Sequence, residues 1–348
     1  MQIETWRITG SGFHFGRQGL GQEVTAESIS SDSLFAALVA RLAESVSGDE
    51  LESFLAPFQA GDPPFVLTSA FPFAGPVRFY PAPKGMPSGL EKGNDIPTKD
   101  LKRVQYISEG LFREILAGTT LLTLYPTAEK LQENQLLISA AEKSSLPDTL
   151  HMPDGKVWAF ERRPRVALGR PVQTANIFFT GRVVYEKDCG LWFGVRWLVE
   201  DNSLRQLFNA LLQELGDAGL GAERSSGFGA CQIQPWDLIE LPEGSNKRWV
   251  SLSRYLPSKD ETQAFYDPQA AYSLDRVGGW LDSPVKRGQR RRAVNLISPG
   301  SILGPVERTT PGQMVDVRPR YPADPDPLGH GVYRSGIAIS VGLEGGKR

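Results

Sequence analysis

Two hydrophobic periods alternate along this chain, and the switches between them outline its elements. Residues 2–9 read as a first strand, followed by a glycine-rich loop from Gly10 to Gly16. A helix follows with Ser31 at its N-cap, Asp32 in its first turn, and a stripe of Leu34, Phe35, Leu38, Val39 and Leu42. Residues 65–71 and 77–80 read as short strands, and Pro81, Pro83 and Pro87 then break regular structure. The pattern predicts a helix over 98–116, capped by Thr98 and carrying Leu101, Val104, Leu111, Phe112 and Ile115. Residues 120–175 show no sustained period. That stretch is too long for a structureless loop, so a hairpin or inserted subdomain is expected there.

Ile177–Tyr185 and Leu191–Leu198 read as the two arms of a β-hairpin turning at Asp188-Cys189-Gly190. The strongest helical period begins near Ser203 and runs through Leu204, Leu207, Phe208, Leu211, Leu212 and Leu215, with Gly216 placed as its C′ residue. A strand from Ala230 to Ile233 closes the unit. This β-α-β-β-α-β order is that of a ferredoxin-like fold with insertions, the fold that also underlies the RRM. Residues 1–235 therefore form an expected N-terminal domain with an insertion at about 84–175. A linker over 235–246 leads to a second domain over 247–348. The second domain ends with Ile337, Ile339, Val341 and Leu343 alternating with smaller residues, a half-buried strand by its period.

Between the strong helix and the last strand of the first unit lies Gly219-Leu220-Gly221-Ala222-Glu223-Arg224-Ser225-Ser226-Gly227-Phe228-Gly229. Phosphate-binding fingerprints place their glycines before a helix N-terminus. Here the glycines follow a helix C-terminus, the negative end of its dipole. An anion at this loop must be held by loop amides and Arg224, and glycines let successive amides face one concavity. The same spacing fits a helix C-cap followed by a turn.

Two basic segments extend this picture. Arg162, Arg163, Arg165 and Arg170 fall within nine positions, with Pro164 and Pro171 keeping the segment extended. Such an arm can follow a phosphate backbone and stack on bases, although a solvated loop has the same composition. Lys286, Arg287, Arg290, Arg291 and Arg292 form a second run, facing RNA or a protein partner.

The whole chain has 348 residues and a net charge of −2, so only these local clumps favour a polyanion. Hydrophobic residues make up 40%, enough for a packed core. Its two cysteines, Cys189 and Cys231, have no metal-ligand spacing, and neither a metal site nor a cofactor is expected. The N-terminus lacks a signal-peptide pattern, and no apolar run approaches the ~20 residues that span a bilayer. A cytoplasmic protein without membrane association is expected. Of the three histidines, His14 in the first glycine-rich loop is the one best placed for acid–base work.

Several segments resemble one family. Ser31–Leu38, Phe79–Gly85, the Arg163–Val166 arm, the Gly219–Gly229 loop and the ending Gly331–Ala338 are similar to the RAMP-superfamily subunits that cap the 5′ tag of crRNA in type III-A CRISPR effector (Csm) complexes, the Csm subunit four family. The resemblance implies an α+β protein of two ferredoxin-like (RRM-like, RAMP) domains with a protruding β-hairpin thumb. It implies no nuclease activity, binding of the crRNA 5′ tag, and a bridge between the large polymerase/cyclase-like subunit and the adjacent RAMP backbone subunit. Carried onto this chain, the RNA contacts are Gly219, Gly221, Arg224, Ser225, Ser226, Gly227 and Phe228 of the loop, with Ser31 as a second anchor at a helix N-terminus. His14, the arm Arg162, Arg163, Arg165 and Arg170, and the run Lys286, Arg287 and Arg290–Arg292 complete the expected surface. The alternative is a RAMP-type, metal-independent endoribonuclease that processes repeat RNA with His14 as general acid/base.

Overall fold

The computed structural model describes residues 1–16, 24–85, 98–169, 174–281, 288–320 and 328–344. Arg170, Lys286 and Arg287 lie outside the described residues. The architecture is mixed α/β. Its elements, in chain order, are β1 (Gln2–Gly10), α1 (Ser31–Ser45), α2 (Gly48–Ala60), β2 (Phe65–Leu67), β3 (Phe71–Ala74), β4 (Val77–Pro81), β5 (Tyr106–Ser108), α3 (Glu109–Leu116), β6 (Glu129–Leu131), β7 (Leu136–Ile138), β8 (Trp158–Gly169), β9 (Thr174–Tyr185), β10 (Cys189–Trp197), α4 (Asn202–Ala218) and β11 (Cys231–Glu240). They are followed by β12 (Trp249–Ser251), β13 (Leu274–Val277), β14 (Val294–Ile297), β15 (Ile302–Leu303), β16 (Met314–Asp316), β17 (Tyr333–Ser335) and β18 (Ser340–Gly342).

A nine-stranded sheet runs in the order β11-β1-β10-β3-β4-β5-β7-β6, with β2 also paired to β10. Helices cover one face around Phe65: Phe58 of α2 lies 5.2 Å and Phe208 of α4 5.1 Å from its ring, and Phe35 of α1 meets Phe58 at 4.8 Å with the rings tilted by 58°. On the other face Trp192 meets Tyr80 at 4.9 Å, and Tyr80 stacks at 4.4 Å on Phe112 of α3. With both faces covered, Cys189–Val195 of β10 are buried throughout. Among the described residues from Trp249 on there are a three-stranded sheet in the order β15-β12-β18, two short strand pairs and a 3-10 helix over Lys259–Tyr266, with no α-helix. Val250, Leu252, Ile337, Ile339 and Val341 nevertheless join the same core as β1 and β10.

Several expectations are corrected. The arm Ile177–Tyr185 does not pair with Leu191–Leu198. β9 instead forms a twelve-residue antiparallel ribbon with β8, from Trp158↔Tyr185 to Gly169↔Thr174. The apolar run of β10 is satisfied only between β1 and β2/β3, inside the sheet. The helix over 98–116 is broken: Tyr106–Ser108 form β5, pairing with β4 and in parallel with β7, before α3 begins. Ser30, not Ser31, stands at the N-cap of α1. Gly216 lies inside α4, where a Cβ would come 2.9 Å from the Cys231 carbonyl oxygen, and Gly219 is the C-cap instead. Strand β11 continues to Glu240 through half of the expected linker. It lies at the sheet edge, where a register shift opposite Glu4/Trp6 admits Pro235. The last strand is buried on both faces rather than half-buried: Ile337 to Val341 are all interior.

The start of α1 is held by charge. Asp32, wholly buried, accepts from Arg254 Nη1 at 3.2 Å and Arg334 Nη1 at 3.1 Å, and the Ser31 hydroxyl accepts from the Arg254 N–H at 2.9 Å. Replacing Asp32 by alanine leaves the buried Arg334 guanidinium without its counterion and Arg254 with Asp275 alone. The expected cost is about 3–5 kcal/mol in a urea unfolding experiment. Burial pushes both cysteine thiols up to about 12. The unfolded thiol ionises near 8.5, so raising the pH above that value favours the unfolded chain through these groups. At pH 8 iodoacetamide is expected to alkylate Cys189 and Cys231 slowly in the native protein and rapidly in urea, as mass spectrometry would record.

Candidate nucleic-acid interface

The glycine-rich loop, the exit of β1 and the base of the β8–β9 ribbon meet at one junction. Phe13 and Val183 exchange two backbone hydrogen bonds, at 2.9 and 2.8 Å, which fix the β1 exit against the ribbon. The loop is tied to the same exit: the Gly229 N–H donates to the Gly12 carbonyl and the Ala222 N–H to the His14 carbonyl, each at 2.9 Å. Leu220 and Phe228 are buried and anchor the two ends of the loop.

Two glycines make this closure possible. Gly221 has φ +97° and Gly229 φ +84°, conformations that residues with a Cβ rarely adopt. A Cβ at Gly221 would also sit 2.7 Å from the His14 carbonyl oxygen, and one at Gly229 2.4 Å from the Leu220 carbonyl oxygen. Between the anchors, Arg224–Ser226 form a 3-10 turn in which Arg224 and Ser225 are exposed. The Arg224 side chain has no hydrogen bond or ion pair among the described residues, and neither do the N–H groups of Arg224 and Ser225. The Ser226 hydroxyl donates to Glu223 at 3.4 Å.

The ribbon lends arginines to the junction. Arg165 donates to the Ser226 carbonyl at 3.1 Å and lies 5.1 Å from the Phe228 ring centroid. Arg182, on the facing strand, lies 5.8 Å from the same ring and pairs with Glu161 at 2.7 Å. Glu161 also pairs with Arg163 at 3.0 Å. The hydrogen bond from Arg182, then the charges of Arg182 and Arg163, hold the Glu161 carboxyl below its usual range. Arg162 is exposed and has no such partner among the described residues. His14 is 6% exposed, and its Nδ1 lies 2.7 Å from the Gly181 carbonyl, so this nitrogen carries the proton in that contact. The resulting surface is a rigid, glycine-shaped turn bearing free donors, flanked by guanidinium groups. Its chemistry suits an anionic backbone.

The structure therefore brings together His14, Gly219, Gly221, Arg224–Phe228 and Arg165, with Arg162 and Arg163 on the adjoining ribbon. It does not bring in Ser31, which is buried against Arg254 and Ser69. Nor does it bring in Arg290–Arg292. Arg290 lies over the Trp280 ring, Arg291 donates to the Gly278 carbonyl, and Arg292 donates to the Arg318 carbonyl. Sequence reasoning missed Arg182 and Glu161. Their direct opposition is visible only once the β8–β9 register is known.

Residues 244–343 match the family model of the CRISPR Csm4 C-terminal domain. The chain is 28% identical over 327 residues to the CRISPR system Cms protein Csm4 of Streptococcus thermophilus, covering 92% of this chain and 93% of that protein. It is 26% identical over 310 residues to the protein of the same name from Mycobacterium tuberculosis, covering 87% and 88%. In fold it is similar to a chain in the crystal structure of the Csm3–Csm4 subcomplex of the type III-A CRISPR-Cas interference complex. That match has TM-score 0.66 and 17% identity, over 98% of this chain and 99% of the other. A chain in the Csm1–Csm4 cassette crystallised with pppApA matches at TM-score 0.56 and 17% identity, over the full length of both. Over most of its length the chain is similar to Csm4 proteins of CRISPR systems, and residues 244–343 match the Csm4 C-terminal domain.

Gly229→Ala combines a disfavoured φ with a backbone clash, and is expected to lower stability by about 1–3 kcal/mol. Urea denaturation of the variant beside Gly227→Ala checks this, because a Cβ at Gly227 meets nothing within 4 Å and pays for its φ alone.

Proposed function

We propose that this chain is the non-catalytic RNA-binding subunit of a type III-A CRISPR-Cas (Csm) interference complex. It holds the repeat-derived 5′ tag of crRNA and bridges the large polymerase/cyclase-like subunit to the adjacent RAMP backbone subunit, in the cytoplasm. The observation that carries the RNA reading is the junction itself: exposed Arg224 and Ser225, with donors unused among the described residues, beside Arg162 and Arg165 on an extended ribbon. The partner reading is supported by the complexes in which the similar chains were crystallised, Csm3–Csm4 and Csm1–Csm4. In this reading the ribbon is the thumb. The order β1-α1-β2-β10-α4-β11, with strands arranged β11-β1-β10-β2, is the ferredoxin-like RAMP core, whereas the described residues beyond Trp249 lack the helices a second such domain needs.

The non-catalytic assignment is supported by the setting of His14. It sits at the junction, but it is buried and one ring nitrogen is committed to the Gly181 carbonyl. A general acid/base must reach the proton it transfers.

The test is binding of the purified full chain to single-stranded RNA carrying the repeat-derived tag, over a range of salt, against a scrambled RNA. Arg224→Ala/Ser225→Ala is expected to weaken tag binding about tenfold, the worth of one charge-assisted hydrogen bond. Losing one backbone contact should also flatten the slope of log affinity against log salt by about 0.7. The RNA is expected to stay intact with wild type and with His14→Ala. Metal-independent cleavage that His14→Ala abolishes would replace this reading with the endoribonuclease.

A further inference from the structure

Between β6 and β7 the backbone makes a left-handed turn out of residues that do not favour one. Gln132, Glu133 and Asn134 have φ +53°, +57° and +68° in succession. Asparagine tolerates that region, but in glutamine and glutamate the Cβ crowds the following carbonyl there. A backbone held this way persists only where its surroundings over-determine it, and such places cluster at positions with a task beyond the fold. The turn itself supplies one bond, from the Gln135 N–H to the Gln132 carbonyl at 3.1 Å. Its other bonds reach outward.

The Gln132 side chain meets the start of the β8–β9 ribbon. Its Nε2 donates to the Trp158 carbonyl at 2.7 Å, and its Oε1 accepts from the Val157 N–H at 2.9 Å. One donor and one acceptor on a planar amide, set against the backbone of two successive residues, reproduce what a neighbouring strand would offer. Glu133 reaches the same place less firmly, pairing with Lys156 at 3.3 Å on the surface. The facing strand β9 is held separately, Val183 by Phe13 and the Tyr185 hydroxyl by the Glu27 carbonyl. Outside the ribbon, β8 has no backbone hydrogen-bond partner among the described residues other than the Gln132 amide.

We propose that Gln132 is a positioning residue for the ribbon. Its amide fastens β8 as a surrogate strand, fixes the angle at which the ribbon leaves the protein, and so sets where Arg162, Arg163 and Arg165 stand beside the glycine-rich loop. Gln132 acts through Trp158 and the strand that follows, without itself touching RNA. Its role in RNA binding rests on the proposed function, whereas the fastening rests on the two hydrogen bonds alone. A single bridge at Val183 fixes a point, and fastenings on both strands fix a direction. Phe160 pairs with Val183 at that point, and Arg165 stands five residues further along β8. That is about 16 Å of strand, so a tilt of about 10° moves Arg165 by about 3 Å. Such a shift breaks its 3.1 Å bond to the Ser226 carbonyl.

The experiment compares the full chain as wild type, Gln132→Gly, Gln132→Ala and Glu133→Gly. Gln132→Gly removes the amide and relieves the positive φ in one change, so the turn keeps its stability while the ribbon loses its fastening. Glu133→Gly relieves the same kind of φ and leaves the amide in place. Hydrogen exchange is read by mass spectrometry on peptides covering 158–169 and 177–185, beside melting temperature and affinity for fluorescein-labelled single-stranded RNA carrying the repeat-derived tag. In the Gln132→Gly variant the ribbon amides are expected to exchange about tenfold faster, the worth of the hydrogen bonding lost. Exchange in β1, β10 and α4 and the melting temperature should stay at wild type. RNA affinity should fall about threefold, following the fraction of time for which the ribbon keeps its direction. Gln132→Ala should show the same two losses with a lower melting temperature, and Glu133→Gly should match wild type in both. Wild-type ribbon exchange and affinity in the Gln132→Gly variant would overturn the proposal. Faster exchange throughout the chain, or equal losses in Glu133→Gly, would overturn it in favour of a turn that serves the fold alone. Faster exchange confined to the ribbon, in a chain whose wild type binds no RNA, would support the fastening and overturn the RNA-binding reading instead.

Discussion

The paired hydrogen bonds between Phe13 and Val183 are the constraint on which the junction depends. They are short, and both residues are fully buried. Phe13 stacks at 5.2 Å on Phe15 and meets Tyr185 edge-on at 6.0 Å, so the bridge is packed as well as bonded. Through it the ribbon, which is otherwise outside the main sheet, takes its direction from β1. The glycine-rich loop then closes on the carbonyls of Gly12 and His14, the residues on either side of the bridge. Were this contact to open, Arg165 and Arg182 would leave Phe228, and the loop would lose two of its backbone acceptors together.

The helices were legible because an amphipathic stripe fixes its own period. α1 and α4 start within a residue of where the Leu34–Leu42 and Leu204–Leu215 stripes place them. Strand pairing was not legible in the same way. The alternation in Ile177–Tyr185 identifies a strand but not its neighbour, and the nearest apolar run in sequence is taken by the central sheet instead. The segment around Tyr106 shows a second limit. Its apolar spacing fits a helix face, but Tyr106 and Ile107 gain two strand neighbours, and Glu142 binds the Gly110 N–H at the start of α3. Tertiary partners outweighed local period there.

The loop announced itself by composition, since four glycines around an arginine and two serines have few structural uses. What composition could not convey was which charges remain available. Glu161 draws off part of the charge of Arg163 and Arg182, whereas Arg224 and Arg162 keep theirs among the described residues. Ser31 shows the converse. A hydroxyl at a helix start reads as an anion anchor, yet here it is consumed in holding the chain around Arg254. Whether a polar group serves a ligand or the fold is decided by long-range neighbours, and these are invisible in a linear reading.

The β8–β9 ribbon has a consequence for the life of the chain before it meets any partner. Beyond Val183 neither strand has a further strand neighbour among the described residues. Phe160, Val166, Ile177 and Phe179 stand on it more than two-fifths exposed. An unpaired edge decorated with aromatic and β-branched side chains is a template for pairing with another copy. Newly made protein therefore carries an aggregation hazard in proportion to its concentration. Arg162, Arg163 and Arg165, interleaved with those apolar positions, act as gatekeepers whose like charges repel a second ribbon. The same arginines that give the ribbon its positive charge thus oppose its self-association.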